Sequence, residues 1–374
     1  MAKKKKKIKF IIIFLVFILY FFIAARPVQR ETILSPKWIN SLEIEGFTNG
    51  DIILPFVLGS NFGYIDSSGH FALNKIITGK VYLSRNMWTE YDSEPENIII
   101  NNIQNGTAVN IDNPGGYPVL LDNRIFILGS DQNSLSEIGT GGRVVWAYES
   151  GAPLTCIDAA ADLVVTGSLD GAVEVFDSSG ERIFYFEPDG SRYSIILGVA
   201  MSRNGSRIGI ICGIDQQRFL LLERHGNTGG DYKVIYHEYL GSGFRRPVRI
   251  LFVDDDQRVV YERTGGIGSY NIRSRHGIFI PLEGEIAAID ELGDNGFLFL
   301  VTSHADDLKK LVGIRFPPDR LFGVSRINAE RTIFMKASFR SADVFLGRTR
   351  INNSGSALVV GGGTRLISFE LEEN

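Results

Sequence analysis

Cysteine is almost absent: Cys156 and Cys212 are the two in a chain of 374 residues. A disulfide framework and a four-cysteine zinc site are therefore excluded. Histidine numbers five. His70, His225 and His276 each adjoin a turn glycine (Gly69, Gly226, Gly277), far apart in sequence, and His237 and His304 fall in no ligand spacing. All five read as exposed or hydrogen-bonded structural side chains, so no metal is expected. Nucleophile motifs are also missing. There is no Gly-x-Ser-x-Gly elbow, and Gly361-Gly362-Gly363 lies between two apolar runs, where it reads as a tight turn and not a phosphate cradle. Basic charge is short once the N-terminus is set aside. Six of the 39 basic residues are the lysines at 3–7 and 9, and the rest of the chain carries −10 against an overall −4. That balance disfavours nucleic acid as a partner.

Long apolar runs are lacking too, with one exception. Phe10 to Ala25 is free of charge, preceded by the lysines and followed by Arg26-Pro27. The run predicts a transmembrane signal anchor over 10–25, with the basic segment 1–9 cytoplasmic by the positive-inside rule and a linker at 26–35. The expected topology is single-pass in the inner (cytoplasmic) membrane, N-in, with everything after Arg26 exported. A cleaved signal peptide is the rival, because Ile23-Ala24-Ala25 ends in small residues. A lipoprotein anchor is excluded, since neither cysteine lies near residue 25.

What the rest of the chain has is glycine, 41 residues of it, punctuating short runs of β-branched and aromatic residues with no 3.6-residue period. This predicts an all-β fold. The runs repeat. Ile127 to Trp146 aligns without a gap on Val165 to Phe184, sharing Gly-Ser at the first turn, a glycine thirteen residues on (Gly142, Gly180) and an aromatic four residues after that (Trp146, Phe184). In the second copy four strands are expected, A at 154–159, B at 163–166, C at 172–177 and D at 182–187. Strand C places Val173 and Val175 on one face and Glu174 on the other. Such a unit cannot bury a face alone, and four antiparallel strands per repeat make a propeller blade. Roughly 330 residues at ~40 to 50 each predict a β-propeller of seven blades, in a range of six to eight. The stretches 80–116 and 318–340 are the irregular ones.

Residues 117 to 224 resemble the repeats of pyrroloquinoline-quinone-dehydrogenase-like β-propellers, with a WD-repeat-like segment from Ser202 to Gly213 (SRNGSRIGIICG). Among membrane-associated relatives they are similar to the propeller subunit of the bacterial outer-membrane protein assembly machine. The resemblance implies a scaffold; no quinone or other cofactor is expected. Pro36 to Leu42 resembles the strand D segment Arg143 to Ser150, with Trp38 standing where Trp146 stands. The C-terminus runs out after a C-like strand, so the propeller is expected to span 36–374 and to be closed by an N-terminal strand at 36–44, burying two open edges.

The candidate binding face is acidic. Asp131, Asp170 and Asp215 occupy equivalent B-to-C turns of three successive repeats, although aspartate also favours such turns for local hydrogen bonding alone. Asp254-Asp255-Asp256 reads as a solvated A-to-B turn. Cys156 and Cys212 read as buried free thiols. The expected function is that of a membrane-anchored, exported, non-catalytic binding or scaffold module for protein partners in the cell envelope. The alternative is a propeller hydrolase or lyase with a carboxylate site at the channel mouth.

Overall fold

The computed structural model describes residues 14, 15, 17, 20, 32–43, 52–121, 123–226, 230–241, 243–292, 296–316, 333–351 and 355–373. The chain divides into two compact units, Pro36–Glu370 and a smaller one of Met1–Ser35 with Leu371–Asn374.

The larger unit is built of strands in chain order. β1 (Thr32–Ser41) comes first. Blade 1 follows with β2 (Ile52–Leu58), β3 (Asn61–Asp66) and β4 (Phe71–Ile76), and blade 2 with β5 (Lys80–Leu83), β6 (Met87–Tyr91), β7 (Asn97–Asn102) and β8 (Ala108–Asp112). Blade 3 has β9 (Gly116–Leu121), β10 (Arg124–Gly129), β11 (Ser134–Ile138) and β12 (Val144–Glu149). Blade 4 has β13 (Leu154–Ala160), β14 (Leu163–Ser168), β15 (Val173–Phe176) and β16 (Arg182–Phe186). Blade 5 has β17 (Ile196–Met201), β18 (Arg207–Cys212), β19 (Gln217–Arg224) and β20 (Tyr232–Gly241). Blade 6 has β21 (Ile250–Val253), β22 (Arg258–Arg263), β23 (Gly266–Asn271) and β24 (His276–Pro281). Blade 7 has β25 (Glu285–Leu292), β26 (Phe297–Ser303), β27 (Leu308–Arg315) and β28 (Ile333–Arg340). Blade 8 has β29 (Val344–Ile351), β30 (Gly355–Gly362) and β31 (Arg365–Glu373), with β1 outermost in the order β1-β31-β30-β29.

The propeller therefore has eight blades, not seven. The difference lies in the stretch 80–116, which reads as irregular but folds as blade 2. Its strands are short, β5 having four residues and β6 five, and the Gly-Ser that marks the turn in blades 1, 3 and 4 is missing. The anchor over 10–25 is corrected as well: among the described residues no helix is long and apolar enough to cross a membrane. The inner-membrane, single-pass placement falls with it. Within that run Phe14, Leu15, Phe17 and Tyr20 are described. The remainder, with the proposed segments 1–9 and 26–31, lies outside the described residues.

Successive first strands lie against one another, β5 on β9, β9 on β13, β13 on β17, β17 on β21 and β25 on β29, and β2 of blade 1 meets β29 of blade 8. The core sits between blades. One cluster joins Val165, Val173 and Val175 of blade 4 to Val199, Ile208, Ile210 and Leu222 of blade 5; another joins Phe56, Leu58 and Phe71 of blade 1 to Val359 and Leu366 of blade 8. Because each blade is covered on both faces, Glu174 is buried along with Val173 and Val175, where alternation alone predicts an exposed side chain.

The three described strands of blade 1 match B, C and D of the other blades. Asp66-Ser67-Ser68-Gly69 repeats Asp177-Ser178-Ser179-Gly180, and in both turns the aspartate Oδ1 accepts from the N–H groups two and four residues on, at 2.8 to 3.0 Å. Each turn ends in a glycine with positive φ, +86° at Gly69 and +81° at Gly180. A methyl placed on Gly180 would stand 2.5 Å from the Trp146 ring of blade 3, and one on Gly69 would stand 2.6 Å from the Trp38 ring on β1. Trp38 Nε1 donates to Ser67 O at 3.1 Å and Asn40 Nδ2 to Gly69 O at 2.5 Å, so β1 bears on blade 1 as β12 bears on blade 4.

Trp38→Ala is expected to lower the unfolding free energy by about 3 kcal/mol through the emptied space, and Gly180→Ala by more than about 1 kcal/mol because φ is positive and the ring blocks Cβ. Urea denaturation of the two variants checks this; midpoints equal to the parent's would show that these aromatic–glycine contacts hold nothing together.

Candidate functional site

Two faces of the ring differ in what they carry. On one lie the A-to-B and C-to-D turns. There Asp254, Asp255 and Asp256 all have positive φ, and Asp255 and Asp256 pair with Arg203 of blade 5, whose N–H also donates to Asp256 Oδ2 at 2.9 Å. This turn is thus an inter-blade tie and not a purely solvated loop.

On the other face lie the B-to-C turns and the connectors that pass from strand D of one blade to strand A of the next. The two connectors beside blade 4 are each fastened to the turn on either side. Between blades 3 and 4, Ser150 N donates to Asn133 O at 2.6 Å, Leu154 N to Gln132 O at 2.8 Å, and Leu169 N to Pro153 O at 2.8 Å. Between blades 4 and 5, Ser194 Oγ donates to Asp170 O at 2.9 Å, while Ser191 Oγ and Arg192 N, the latter at 3.3 Å, donate to the Asp215 carboxylate. The turns of Asp131, Asp170 and Asp215 are in this way linked in series along one face.

Their carboxylates are nevertheless occupied locally. Asp131 Oδ1 accepts from Asn133 N at 3.0 Å, Asp170 accepts from Ser168 Oγ, and Asp215 accepts from Ser191 and Arg192. The Ser191 hydroxyl holds the Asp215 carboxyl below the usual carboxylate range. Among the described residues no group of three His, Cys, Asp or Glu side chains is placed to hold a metal ion.

The larger carboxylates inside the ring seal blade against blade. Glu174, 3% exposed, accepts from Tyr148 of blade 3 and from Arg182 Nη1 at 2.6 Å; burial and then the Glu174 hydrogen bond push the Tyr148 hydroxyl up to about 12. Glu137 takes Arg124 through both oxygens at 2.8 and 2.7 Å, and Arg124 Nη1 reaches Leu163 O of blade 4 at 3.2 Å. Glu238 accepts from Tyr261 of blade 6 at 2.5 Å and Arg263 at 2.7 Å. A cavity of about 400 Å³ among the first strands of blades 4 to 7 is lined by Cys156, Leu197, Val199, Val248, Arg249 and Ile289 among others, with no carboxylate in its wall. Cys156 and Cys212 are free thiols, pushed by burial up to about 12 and about 11.

The residues that alternation and turn motifs did not single out are the exposed ones on the connectors. Tyr193 is 53% exposed with the Arg192 guanidinium 5.6 Å from its ring, and Leu169 of the blade 4 turn is 46% exposed. The signal available was Arg192-Tyr193 in the long connector 187–195.

A family described as beta-propeller protein matches residues 1–353. The resemblance of 117–224 to propeller repeats is met by that match and by the solved structure of BamB from Moraxella catarrhalis. BamB covers 90% of this chain and 100% of its own at a TM-score of 0.52 and 12% identity, a likeness of fold. A protein of Treponema pallidum (strain Nichols), described as uncharacterized, is 27% identical over 302 residues, 77% of this chain and 79% of its own length.

Asp215→Asn should loosen the connector, raising hydrogen exchange at Arg192 and Tyr193 severalfold without shifting global unfolding. Since the Asp215 carboxyl is depressed from its ordinary 3.8, the tie is complete above that value and is lost as pH falls through the lowered one. Exchange that rises already between pH 6 and 5 would contradict the assignment. The two thiols should stay inert to Ellman's reagent at pH 8 until urea unfolds the ring, because both remain protonated well above their ordinary value of 9.0.

Proposed function

The chain belongs to the family of β-propeller proteins, and on that premise we propose that it is a non-catalytic binding module, a rigid platform that holds a protein partner on the connector face of blades 4 and 5. The observation that supports this reading is the connector 187–195. It is fastened at Ser191 and Ser194 to two neighbouring turns and displays Arg192, Tyr193 and the adjacent Leu169 to solvent. Tyrosine and arginine are the residues that dominate protein interfaces, and prior fixing of the loop lowers the ordering cost of association. A flat face of this kind suits a macromolecule better than a small substrate, which needs concave enclosure. The polar chemistry inside the ring, meanwhile, is spent on joining blades.

The test is site-specific photocrosslinking in cells. A photoreactive residue at Tyr193 should give a discrete protein adduct that the same residue at Ser179, on the opposite face, does not. Arg192→Ala with Tyr193→Ala should lower capture of that adduct's protein by about tenfold or more with the melting temperature unchanged. Adducts from Ser179 alone would place the partner elsewhere.

A further inference from the structure

The cavity among the first strands of blades 4 to 7 has its origin in the local structure of those strands. Three of them carry a residue that has no ladder partner: β13 slips against β14 between Leu154 and Cys156, β17 against β18 between Ile196 and Gly198, and β25 against β26 between Ile286 and Ala288. A bulge of this kind re-aims a side chain and takes backbone groups out of the ladder. In the fourth, β21 starts only at Ile250, and Pro247-Val248-Arg249 runs ahead of it. The irregular positions tie blade to blade. Thr155 Oγ1 donates to Ile196 O at 2.5 Å, Val248 N to Leu197 O at 2.8 Å, and the Arg249 guanidinium to Ile286 O at 2.6 Å and Ala287 O at 2.9 Å. A methyl placed on Gly198 would stand 2.5 Å from Val248 O, so blades 5 and 6 meet here too closely for a side chain.

Two properties of the space so formed, about 400 Å³, point to a ligand. Its wall is aliphatic, with Leu197, Val199, Val248, Ile250, Leu251 and Ile289 in it, and the last three are only half-buried. Apolar surface left wet in a rigid wall is a cost that an apolar occupant removes. The charged group in the wall is Arg249, which is exposed and bonds two neutral carbonyls. Glu262, beside it in the ladder, gives its carboxylate to Arg246 and meets Arg249 only at the backbone N–H, at 3.4 Å. Two of the five N–H donors of a guanidinium are used by the carbonyls, and the exposed side chain offers the rest to solvent.

We propose that this cavity is a binding site for a straight-chain alkyl carboxylate, with the carboxylate on Arg249 and the chain lying along Ile250, Leu251 and Ile289. Ile289 stands about 10 Å along β25 from the Ile286 carbonyl that Arg249 holds, at ~3.3 Å per residue, so head and chain contacts are separated as such a ligand requires. The volume falls at the lower end of the range for small-molecule sites and leaves room for one chain. A peptide would need acceptors for its N–H groups, and the carbonyls of Ile196, Leu197, Ile286 and Ala287 are already engaged; an alkyl chain needs none. The cation selects an anionic head over a neutral one.

Titration calorimetry of the full chain with hexanoate, octanoate and decanoate, each below its micelle concentration, reads both halves of the assignment. Affinity should rise about three- to fourfold per added methylene, and octanoate should bind about tenfold more tightly than 1-octanol. Arg249→Gln should abolish the preference over the alcohol and keep the dependence on chain length, while Arg249→Lys should retain part of the preference. Ile289→Trp, which fills the space, should lose decanoate binding while melting like the parent. Hydrogen exchange locates the site without any substitution: decanoate should slow exchange severalfold at 197–199, 248–251 and 287–289 but not in the connector 187–195.

Affinity that stays level from hexanoate to decanoate, or equal binding of octanoate and 1-octanol, overturns the proposal. So does protection by decanoate confined to other segments, or an Ile289→Trp variant that folds and still binds decanoate like the parent. If that variant does not fold, the Arg249→Gln titrations and the exchange map decide. Acetyl-Val-Leu-Leu with a free C-terminus, bound more tightly than decanoate and displaced by it, would give the cavity to a peptide tail, and the alkyl assignment would fall.

Discussion

The structure depends on each blade covering the face of the next. The apolar clusters are shared between neighbours, Val165 and Val175 of blade 4 with Ile208 and Ile210 of blade 5, Phe126 of blade 3 with Phe176 of blade 4. A lone four-stranded blade would expose both faces and could not hold its strands. Stability is thus a property of the stack, and the edges of the stack are its weak points. The sheet order β1-β31-β30-β29 brings the two chain ends into one blade, and Trp38 then rests on the blade 1 turn as Trp146 rests on that of blade 4.

Covering both faces has a chemical consequence. Polar side chains on the strands face a neighbouring blade, and each must find a partner there. Glu174 meets Tyr148, Glu238 meets Tyr261, and Arg124 reaches Leu163 O, so the groups that in another setting would serve acid–base chemistry are consumed in holding blades in register. Rigidity in the ring passes to the connectors through hydrogen bonds to the turns on either side, so loops such as 187–195 have a fixed shape although they carry no regular structure.

Much of the architecture is legible in the sequence because a blade is a local object. Its strands are neighbours in the chain, its turns need Gly, Asp and Ser at set offsets, and the repeat from Ile127 to Phe184 therefore displays its own period. The strands at 154–160, 163–168 and 182–186 fall within a residue or two of what that period predicts. Blade count is less legible. Blade 2 keeps its pairing through alternation in Asn97–Asn102, with Ile98 and Ile100 buried, but lacks the turn residues that announce the other repeats. The apolar run at 10–25 is the other departure, since composition measures apolarity alone, and among the described residues no helix is long and apolar enough to cross a membrane.

By itself, then, the sequence determined the all-β class, the repeating unit, the turns that carry Asp131, Asp170 and Asp215, and the absence of a cysteine scaffold, because each follows from residues close together in the chain. Only the tertiary structure decided that there are eight blades, that Glu174 is buried and that the connector 187–195 bridges two turns. Those facts turn on which surfaces of separate blades meet. Contact between blades is fixed by packing across tens of residues, and no local pattern of residue types encodes it.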